Sequence, residues 1–381
     1  MISVAVSGVG MIPFGKYPER SLVDMAAEAA YMALKDAGIK PNQVEACFFA
    51  NGLASRLFGD VTVGQNVFWE VGINQIPVVN LENACTSGST AFYLGYNMIA
   101  AGQAEVVMVV GAEKMYVAGL GLVDSGVTEV DTQLGLVAPA SFALRAFRHM
   151  TEFGTTKEQL AQVTVKSRRH AQKNPFAQFR EPVTIEEVLA APMIVDPFTR
   201  LQCCPNADGA AATVLCSPRL AKRMGRMVNV EAAVLCSGSY NNPQDLVHWE
   251  TDYRACHLAY EKAGIGPEDL DVAEVHDAFT IAEILHYEAL GLCDEGEGGK
   301  LLEEGDTALG GRIPVNVSGG LLSRGHPPGA TGLAQVFELV TQLRKEARSR
   351  QVEGAKVGLA QLMGGDKCGD TKSCTVIVFS I

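Results

Sequence analysis

Short apolar runs alternate with longer mixed stretches along this chain. Runs of apolar and small residues predict buried strands at 46–50, 106–110, 210–216, 228–236 and 272–275. The intervening stretches predict helices at 90–101, 156–172 and 332–347. Strands that alternate with helices indicate an α/β fold.

One pattern occurs twice. Segments 33–50 and 259–275 both predict a helix that ends at a glycine, Gly38 or Gly264, followed by a proline-containing turn and a strand. Segments 102–111 and 354–365 form a second such pair. This repetition predicts an internal duplication, with mixed sheets between helices and the two halves packed face to face. Chance similarity of a common helix–turn–strand pattern is the alternative.

The repetition is interrupted at 119–206 by glycine-rich turns and a polar helical stretch. Long connections of this kind are usually functional, so we expect an insertion that lies over a site. The chain therefore divides into an N-terminal half (1–118 plus 207–236), an insertion (119–206) and a C-terminal half (237–381).

The net charge and the cysteine content limit the classes of binding partner and the cellular compartment that the sequence predicts. The net charge of −12 argues against nucleic acid and anionic membranes as partners. The basic cluster at 166–170 is interpreted as a solvated helix face, with a site for a phosphorylated ligand as the alternative. No apolar run approaches the ~20 residues of a membrane span, and the N-terminus lacks the features of a secretion signal. Buried, reduced thiols are expected in the apolar runs and indicate a cytoplasmic protein (Cys47, Cys216, Cys236, Cys374).

Cys85 follows the apolar run 76–81 and precedes a predicted helix, within Asn83-Ala-Cys-Thr-Ser-Gly-Ser. A thiol at a helix start lies near free backbone N–H groups and the positive end of the helix dipole. Both favour the thiolate, which is the nucleophile. The small neighbours permit a tight turn and close approach of a substrate. Considered alone, an inert cysteine is the alternative.

Two histidines have similarly unusual surroundings. His326 lies in Gly325-His-Pro-Pro-Gly, where it can deprotonate a thiol or bind an oxyanion, or alternatively cap the loop. His276 lies where the strand 272–275 gives way to a helix, and its alternative is a structural pairing with Asp277. Together, Cys85, His276 and His326 favour acyl transfer through a thioester. The remaining histidines are interpreted as surface or structural residues (His149, His170, His248, His257, His286).

The ordered set of motifs resembles the thiolase superfamily over nearly the whole chain. Its markers are Asn83-Ala-Cys-Thr-Ser-Gly, His276-Asp-Ala-Phe, Asn316-Val-Ser-Gly-Gly and Gly325-His-Pro-Pro-Gly-Ala-Thr-Gly. His276-Asp-Ala-Phe and the stretch that begins Cys203-Cys204-Pro-Asn resemble the sterol-carrier-protein-type and archaeal branch. The resemblance implies a duplicated, five-layered αβαβα fold and a homodimer or tetramer. It also implies coenzyme A thioesters and coenzyme A as substrates, with no bound cofactor or metal.

The resemblance also assigns roles. Cys85 would be the acylated nucleophile, His326 would activate it and help to bind the thioester oxygen, and His276 would complete that oxyanion hole. A second oxyanion hole would use the backbone N–H of Cys85 and of the Gly364-Gly365 turn. The implied activity is that of a coenzyme A-dependent thiolase that cleaves or forms a 3-oxoacyl-CoA. A non-catalytic acyl-CoA-binding subunit is the alternative.

The sequence departs from the family at the second cysteine, which acts as acid and base on the substrate α-carbon. The family's two positions for it hold Ala278 and Met363 here. Cys368, near the Gly364-Gly365 turn, is a candidate replacement, and a structural role is its alternative. Branch members often bind a small zinc-ribbon/OB-fold protein, so zinc is expected only in such a partner. The thiolase subunit of a 2-benzoylsuccinyl-CoA thiolase-like complex is one candidate.

Overall fold

Thirteen α-helices and eleven strands make up most of the regular structure of the described chain. The structure is a computed structural model, and it describes residues 3–117, 120–121, 126, 129–224, 227–239, 245–367 and 369–381, without the side chains of 222–224 and 367. The strands are β1 (Val4–Met11), β2 (Ala46–Ala50), β3 (Val78–Leu81), β4 (Val106–Glu113), β5 (Met193–Val195), β6 (Phe198–Thr199), β7 (Gly209–Cys216), β8 (Val228–Ser237), β9 (Val272–Glu274), β10 (Val357–Lys367) and β11 (Asp370–Ser380). The helices are α1 (Leu22–Ala37), α2 (Ala54–Phe58), α3 (Val63–Glu70), α4 (Ser87–Ala100), α5 (Val130–Gln133), α6 (Ala138–Phe153), α7 (Lys157–Gln172), α8 (Ile185–Ala190), α9 (Pro218–Met224), α10 (Glu250–Ala263), α11 (Thr280–Ala289), α12 (Gly298–Glu303) and α13 (Pro328–Leu343).

Nine strands form one mixed sheet in the order β3-β2-β4-β7-β1-β8-β11-β10-β9. The first five strands form one half-sheet and the last four form the other. The halves join edge to edge where β1 pairs with β8, with Val4 opposite Val230 and Val6 opposite Val228. An isolated parallel bridge from Ala273 to Val315 extends the second half beyond β9.

The two half-sheets repeat the same connections. In the first, β2 is parallel to β4, and β7 lies antiparallel between β4 and β1. In the second, β9 is parallel to β10, and β11 lies antiparallel between β10 and β8. The helices that precede β2 and β9 both end at a left-handed glycine, Gly38 with φ 67° and Gly264 with φ 70°. The predicted duplication is therefore confirmed. Because β8 pairs with both halves, it lies at their junction, and the exact division of the chain into domains stays a prediction.

Buried side chains alternate between the two faces of each half-sheet, as strand geometry requires. On β4, residues 106, 108, 110 and 112 pack against α1 and α3, whereas 107 and 109 face α4 and α13. On β11, residues 374, 376 and 378 pack against α10, whereas 377 and 379 face the same central helices. The resulting layers are helix, half-sheet, the α4–α13 pair, half-sheet and helix. This is the predicted αβαβα arrangement.

The described residues between β4 and β7 pack mainly against the second half. The predicted helix 156–172 is α7, whose N-cap Thr156 accepts a hydrogen bond from the backbone of Gln159. Helix α6 was not predicted. The helix predicted at 90–101 begins earlier, at Ser87, and the one predicted at 332–347 begins at Pro328 and ends at Leu343.

The basic cluster of α7 contradicts its predicted solvation. Lys166, Arg168 and His170 are all buried. Lys166 Nζ lies 2.7 Å from Glu283 Oε1 and donates to Tyr287 Oη at 2.8 Å, and the imidazole of His170 bonds backbone atoms of Asn316 and Leu309. The cluster is buried because side chains and backbone groups of the second half form hydrogen bonds and an ion pair with it. The local sequence does not reveal these partners. None of the helices in the described part of the chain is long and apolar enough to span a membrane.

Candidate active site

Cys85 lies in a tight turn between β3 and α4. The preceding residue, Ala84, has φ 48°, in the left-handed region that residues with a Cβ seldom adopt. Two hydrogen bonds hold the turn: the N–H of Thr86 donates to Asn83 O at 3.1 Å, and the N–H of Ser87 donates to Ala84 O at 3.1 Å. The helix begins two residues after Cys85, so the thiol lies closer to the helix start than the sequence predicted.

His326 faces this thiol from the other half of the molecule. Its Nε2 lies 3.2 Å from Cys85 Sγ, and its Nδ1 lies 2.8 Å from Thr331 Oγ1. Thr331 donates its own hydroxyl proton to Pro327 O at 2.9 Å, so its oxygen is available to accept from Nδ1–H. This places the proton on Nδ1 and leaves Nε2 free to accept the proton of the thiol.

Close backbone packing brings the two residues together. A Cβ on Gly111 of β4 would lie 2.1 Å from Gly329 O, and one on Gly88 of α4 would lie 2.7 Å from the same oxygen. Only glycine permits these approaches. The first turn of α13 therefore lies directly on β4 and on the first turn of α4, and His326 next to it reaches Cys85.

Burial keeps the pair neutral. It raises the pKa of the Cys85 thiol to about 12, with the charge of Glu113 as the second cause, although the N–H groups of Gly365 and Cys85 itself lower it. Burial, followed by the positive charge of Arg324, lowers the pKa of His326 to about 3. The predicted preference for thiolate is therefore wrong for the free protein, because desolvation outweighs the effect of the helix start. The geometry instead favours proton transfer once a substrate carbonyl is attacked.

His276 completes the cluster. It follows β9, is 5% exposed, and neither of its ring nitrogens has a hydrogen-bond partner among the described residues. Asp277 turns away, and its carboxylate accepts from the backbone N–H of Leu321 at 2.6 Å, so the structural pairing of His276 with Asp277 is not formed. Burial is the main reason that the pKa of His276 lies well below its usual value. A neutral, unpartnered imidazole in this position is suited to donate to an oxygen.

The reactive atoms of Cys85, His276 and His326 all lie within 4.8 Å of one another. Among the described residues, this is the one group of histidine, cysteine and acidic side chains with such close spacing. It is also the group that the sequence assigned to acyl transfer, and a nucleophile, a base and an oxyanion donor need this proximity around one carbonyl carbon.

Family comparisons cover nearly the whole chain. A model described as "Thiolase, N-terminal domain" matches residues 4–219, and one described as "Thiolase C-terminal domain-like" matches residues 235–378. This chain belongs to the thiolase family. The predictions of a coenzyme A-dependent thiolase and of an acyltransferase are thereby confirmed.

Individual relatives of this thiolase lie in the predicted branch. The benzoylsuccinyl-CoA thiolase subunit BbsB of Thauera aromatica is 39% identical over 95% of this chain and 94% of its own length. An acetyl-CoA acetyltransferase of Methanothermobacter thermautotrophicus is 39% identical over 96% and 97%. Human sterol carrier protein 2 is 39% identical over 95% of this chain and 70% of its own length.

Solved structures confirm the fold of the thiolase. The Ltp2-ChsH2(DUF35) aldolase has a TM-score of 0.82 and 26% identity, and the match covers 98% of this chain and 97% of that one. Human mitochondrial 3-ketoacyl-CoA thiolase has a TM-score of 0.77 and 20% identity, covering 100% and 98%. The second likeness shows the fold alone.

Gly364 and Gly365 lie within β10, near its end, and not in the turn that the sequence predicted, because β11 pairs with this segment. They lie against the Cys85 turn. A Cβ on Gly364 would lie 2.9 Å from the backbone N of Thr86, and Gly365 has φ 70°. The backbone N–H groups of Gly365 and of Cys85 itself both lower the pKa of the Cys85 thiol, so they face its sulfur. Two backbone donors therefore lie beside the nucleophile.

Glu113 is a site residue that the sequence analysis missed. It is fully buried at the end of β4, where it accepts hydrogen bonds from the N–H groups of Gly52 at 2.9 Å and Gly329 at 3.0 Å and from Asn51 Nδ2 at 2.9 Å. It therefore ties β4 to the first turn of α13. The signal in the sequence is a carboxylate that closes an otherwise apolar strand. The predicted site residue Cys368 lies outside the described residues.

Proposed function

We propose that this thiolase transfers an acyl group through a thioester on Cys85. His326 Nε2 takes the thiol proton while Cys85 Sγ attacks the 3-keto carbon of a 3-oxoacyl-CoA. The bond between that carbon and the α-carbon breaks, and acetyl-CoA leaves after its carbanion is protonated. Coenzyme A then attacks the thioester and releases the shortened acyl-CoA. The reverse sequence forms the 3-oxoacyl-CoA.

One observation carries this proposal: the 3.2 Å contact between His326 Nε2 and Cys85 Sγ, with Thr331 holding the histidine proton on Nδ1. The N–H groups of Cys85 and Gly365 would stabilise the oxyanion formed during attack on the acyl carbon. His276 and His326 would bind the thioester oxygen of the acetyl-CoA unit.

The test is direct detection of the acyl-enzyme. After incubation with acetyl-CoA, mass spectrometry of proteolytic fragments should find one acetyl group, on Cys85. The Cys85→Ala variant should fold normally and carry none, and Cys47→Ala, which removes a thiol buried on β2, is the matched control. A folded Cys85→Ala variant that still catalyses thiolysis would contradict the assignment.

The alternative of a non-catalytic acyl-CoA-binding subunit is not favoured. Such a protein has no need to hold a thiol, a base with a defined tautomer and an unpartnered imidazole within 4.8 Å. The relatives named as an acetyltransferase and as a thiolase subunit also favour catalysis.

A partner of the DUF35 type belongs to the same proposal. The name of the Ltp2-ChsH2(DUF35) aldolase joins two proteins, and BbsB is named a subunit. In this chain, α5, α6 and the residues between them expose large apolar side chains (Val130, Leu134, Val137, Leu144, Phe147). We assign this face to a small zinc-ribbon/OB-fold protein, which would hold any zinc, in a complex of the 2-benzoylsuccinyl-CoA thiolase kind.

Co-purification with a DUF35-type protein tests the partner. The Leu144→Glu substitution should release it, whereas Leu258→Glu, at an exposed site on α10, should not. Retention of the partner by the first variant, or its release by both, contradicts this placement.

A homodimer is proposed through β3, the edge strand of the nine-stranded sheet, because an open edge pairs readily with a second copy. Val79 on β3 and Leu94 on α4 are exposed there, at 43% and 36%. Sedimentation should show a smaller species for Val79→Lys than for the unmodified chain. The three-part domain division and a cytoplasmic location remain proposals from the sequence.

A further inference from the structure

The proposed reaction needs a proton donor and acceptor at the substrate α-carbon, and the sequence left that group open between Cys368 and other sources. We propose that Cys204 is this catalytic acid and base. The inference rests on the proposed function and names a residue of the same site.

Backbone pairing places Cys204 beside the His276 loop. Cys203 forms an isolated antiparallel bridge with Phe279, and the N–H of Cys204 donates to Ala278 O at 2.8 Å. Residues that lie opposite each other in an antiparallel pair project their side chains to the same face, about 4.5–5.5 Å apart at Cβ. The thiol of Cys204 therefore lies beside Ala278, two residues along the chain from His276.

The two adjacent thiols point in opposite directions. Cys203 Sγ donates to Thr199 O at 3.5 Å, which holds it away from the site. Because successive side chains of an extended segment alternate between faces, Cys204 points to the other side. Cys204 as a residue is half-buried, in contrast to the fully enclosed Cys256 and Cys374.

The surroundings of Cys204 keep its thiol protonated. Burial is the main cause that raises the pKa of Cys204 well above its usual value, and the negative charges of Cys85, Cys203 and Asp277 raise it further. Cys204 is therefore protonated in the free enzyme, as an acid must be. A thiolate at Cys85 would raise this pKa further, so Cys204 stays protonated while Cys85 attacks the carbonyl.

His276 supplies an independent indication of a ligand at this place. Its ring is buried, and its two nitrogens have no partner among the described residues. Its reactive atom lies within 4.8 Å of Cys85 Sγ, and His276 is two residues from Ala278, which Cys204 contacts. An oxygen of the substrate bound to His276 would hold the neighbouring α-carbon close to the segment that carries Cys204.

The proton balance of thiolysis closes with this assignment. Cys85 gives its proton to His326 and its sulfur bonds the 3-keto carbon. When the carbon–carbon bond breaks, the electron pair goes to the α-carbon of acetyl-CoA, which takes the proton of Cys204. Coenzyme A then gives its thiol proton to the Cys204 thiolate and attacks the thioester, and Cys85 leaves and recovers its proton from His326.

The test separates α-carbon chemistry from acylation. Cys204→Ala should still form acetyl-Cys85 from acetyl-CoA, because that step moves no α-proton. Its solvent deuterium exchange at the acetyl methyl group and its cleavage of acetoacetyl-CoA should both fall by about 10²–10⁴-fold. Cys204→Ser, which keeps the shape but has a poorer acid, should show the same loss and exclude a folding defect. Cys203→Ala is the matched control and should retain both reactions.

Each outcome points to one assignment. Exchange and cleavage near wild-type rates in Cys204→Ala overturn the role of Cys204, and loss of both in Cys368→Ala would assign the proton to Cys368 instead. Absence of acetyl-Cys85 in the unmodified enzyme would contradict the proposed function itself.

Discussion

Helices α4 and α13 occupy equivalent places in the two halves of the molecule, yet the turns that precede them carry complementary chemistry. Cys85 follows Ala84, with φ 48°, and lies two residues before α4; His326 follows Gly325, with φ 109°, and lies two residues before α13. Segments at equivalent places therefore hold a nucleophile in one half and its base in the other. They meet in one site because the helix starts pack against each other at Gly88 and Gly329.

The two turns differ in their electrostatic surroundings. Glu113, which lies near Cys85, opposes ionisation of the thiol, whereas Thr331 beside His326 holds a neutral tautomer. The Cys85 thiol and the His326 imidazole are therefore both neutral in the free enzyme, and the proton passes from one to the other only during the reaction. Five experiments would sharpen or break this interpretation.

The largest effect is expected for His326→Ala. Without the base, the thiol with its raised pKa has no proton acceptor at 3.2 Å, so acylation should slow by about 10³–10⁴-fold. Single-turnover formation of acetyl-Cys85 measures this directly. The control is His257→Ala, an exposed histidine of α10. If His326→Ala acylates at the normal rate, the two turns are not chemically complementary.

The pH dependence of Cys85 alkylation tests the neutral pair. With the pKa of the thiol raised to about 12, the thiolate fraction rises tenfold per pH unit, so the rate should increase by about 10³-fold between about pH 6 and 9. His326, with its pKa lowered to about 3, stays neutral over that range and adds no inflection. Iodoacetamide labelling, followed at the Cys85 peptide, gives the profile. A plateau near neutral pH would indicate a preformed thiolate–imidazolium pair and contradict the comparison.

His276→Ala should lower kcat by about 10²–10³-fold and leave KM nearly unchanged. Its unpartnered ring is suited to an oxygen whose charge develops in the transition state, so its loss costs about 2.7–4 kcal/mol at that point. Steady-state thiolysis of acetoacetyl-CoA separates the two constants. An increase in KM alone would show that His276 only binds substrate.

The smallest catalytic effect, a few-fold, is expected for Glu113→Gln. Removal of the charge should lower the pKa of Cys85 and speed its alkylation at a given pH. In this variant the amide NH₂ group would face the backbone N–H groups of Gly52 and Gly329, which now donate to the carboxylate. The free energy of unfolding should therefore fall by about 1–3 kcal/mol.

Stability against pH checks the same residue. Burial raises the pKa of Glu113 from 4.5 to about 7, so the folded state binds the extra proton and the contribution of this group to stability falls as pH rises between those values. The free energy of unfolding should therefore fall less between about pH 5 and about pH 8 in Glu113→Gln than in the unmodified protein. In the alkylation experiment, slower labelling of Cys85 in Glu113→Gln than in the unmodified protein would show that Glu113 does not raise the pKa of the Cys85 thiol.

The sequence by itself determined the fold class, the duplication and the three reactive side chains. The period of two along the strands, the paired glycines at 38 and 264 and the motifs around Cys85, His276 and His326 are local signals, and local backbone preferences suffice to interpret them. The family resemblance then supplied the order of the layers.

Only the tertiary structure decided the ionisation of the site and the surroundings of several polar residues. Desolvation depends on everything packed around an atom, which is why Cys85 has a raised pKa despite its place before a helix, and why Lys166 is buried on an apparently polar helix. Glu113 and Cys204 gain their importance from contacts with segments far along the chain, at Gly329 and Ala278. Such contacts leave no periodicity in the sequence, because they are set by the packing of one half of the molecule against the other.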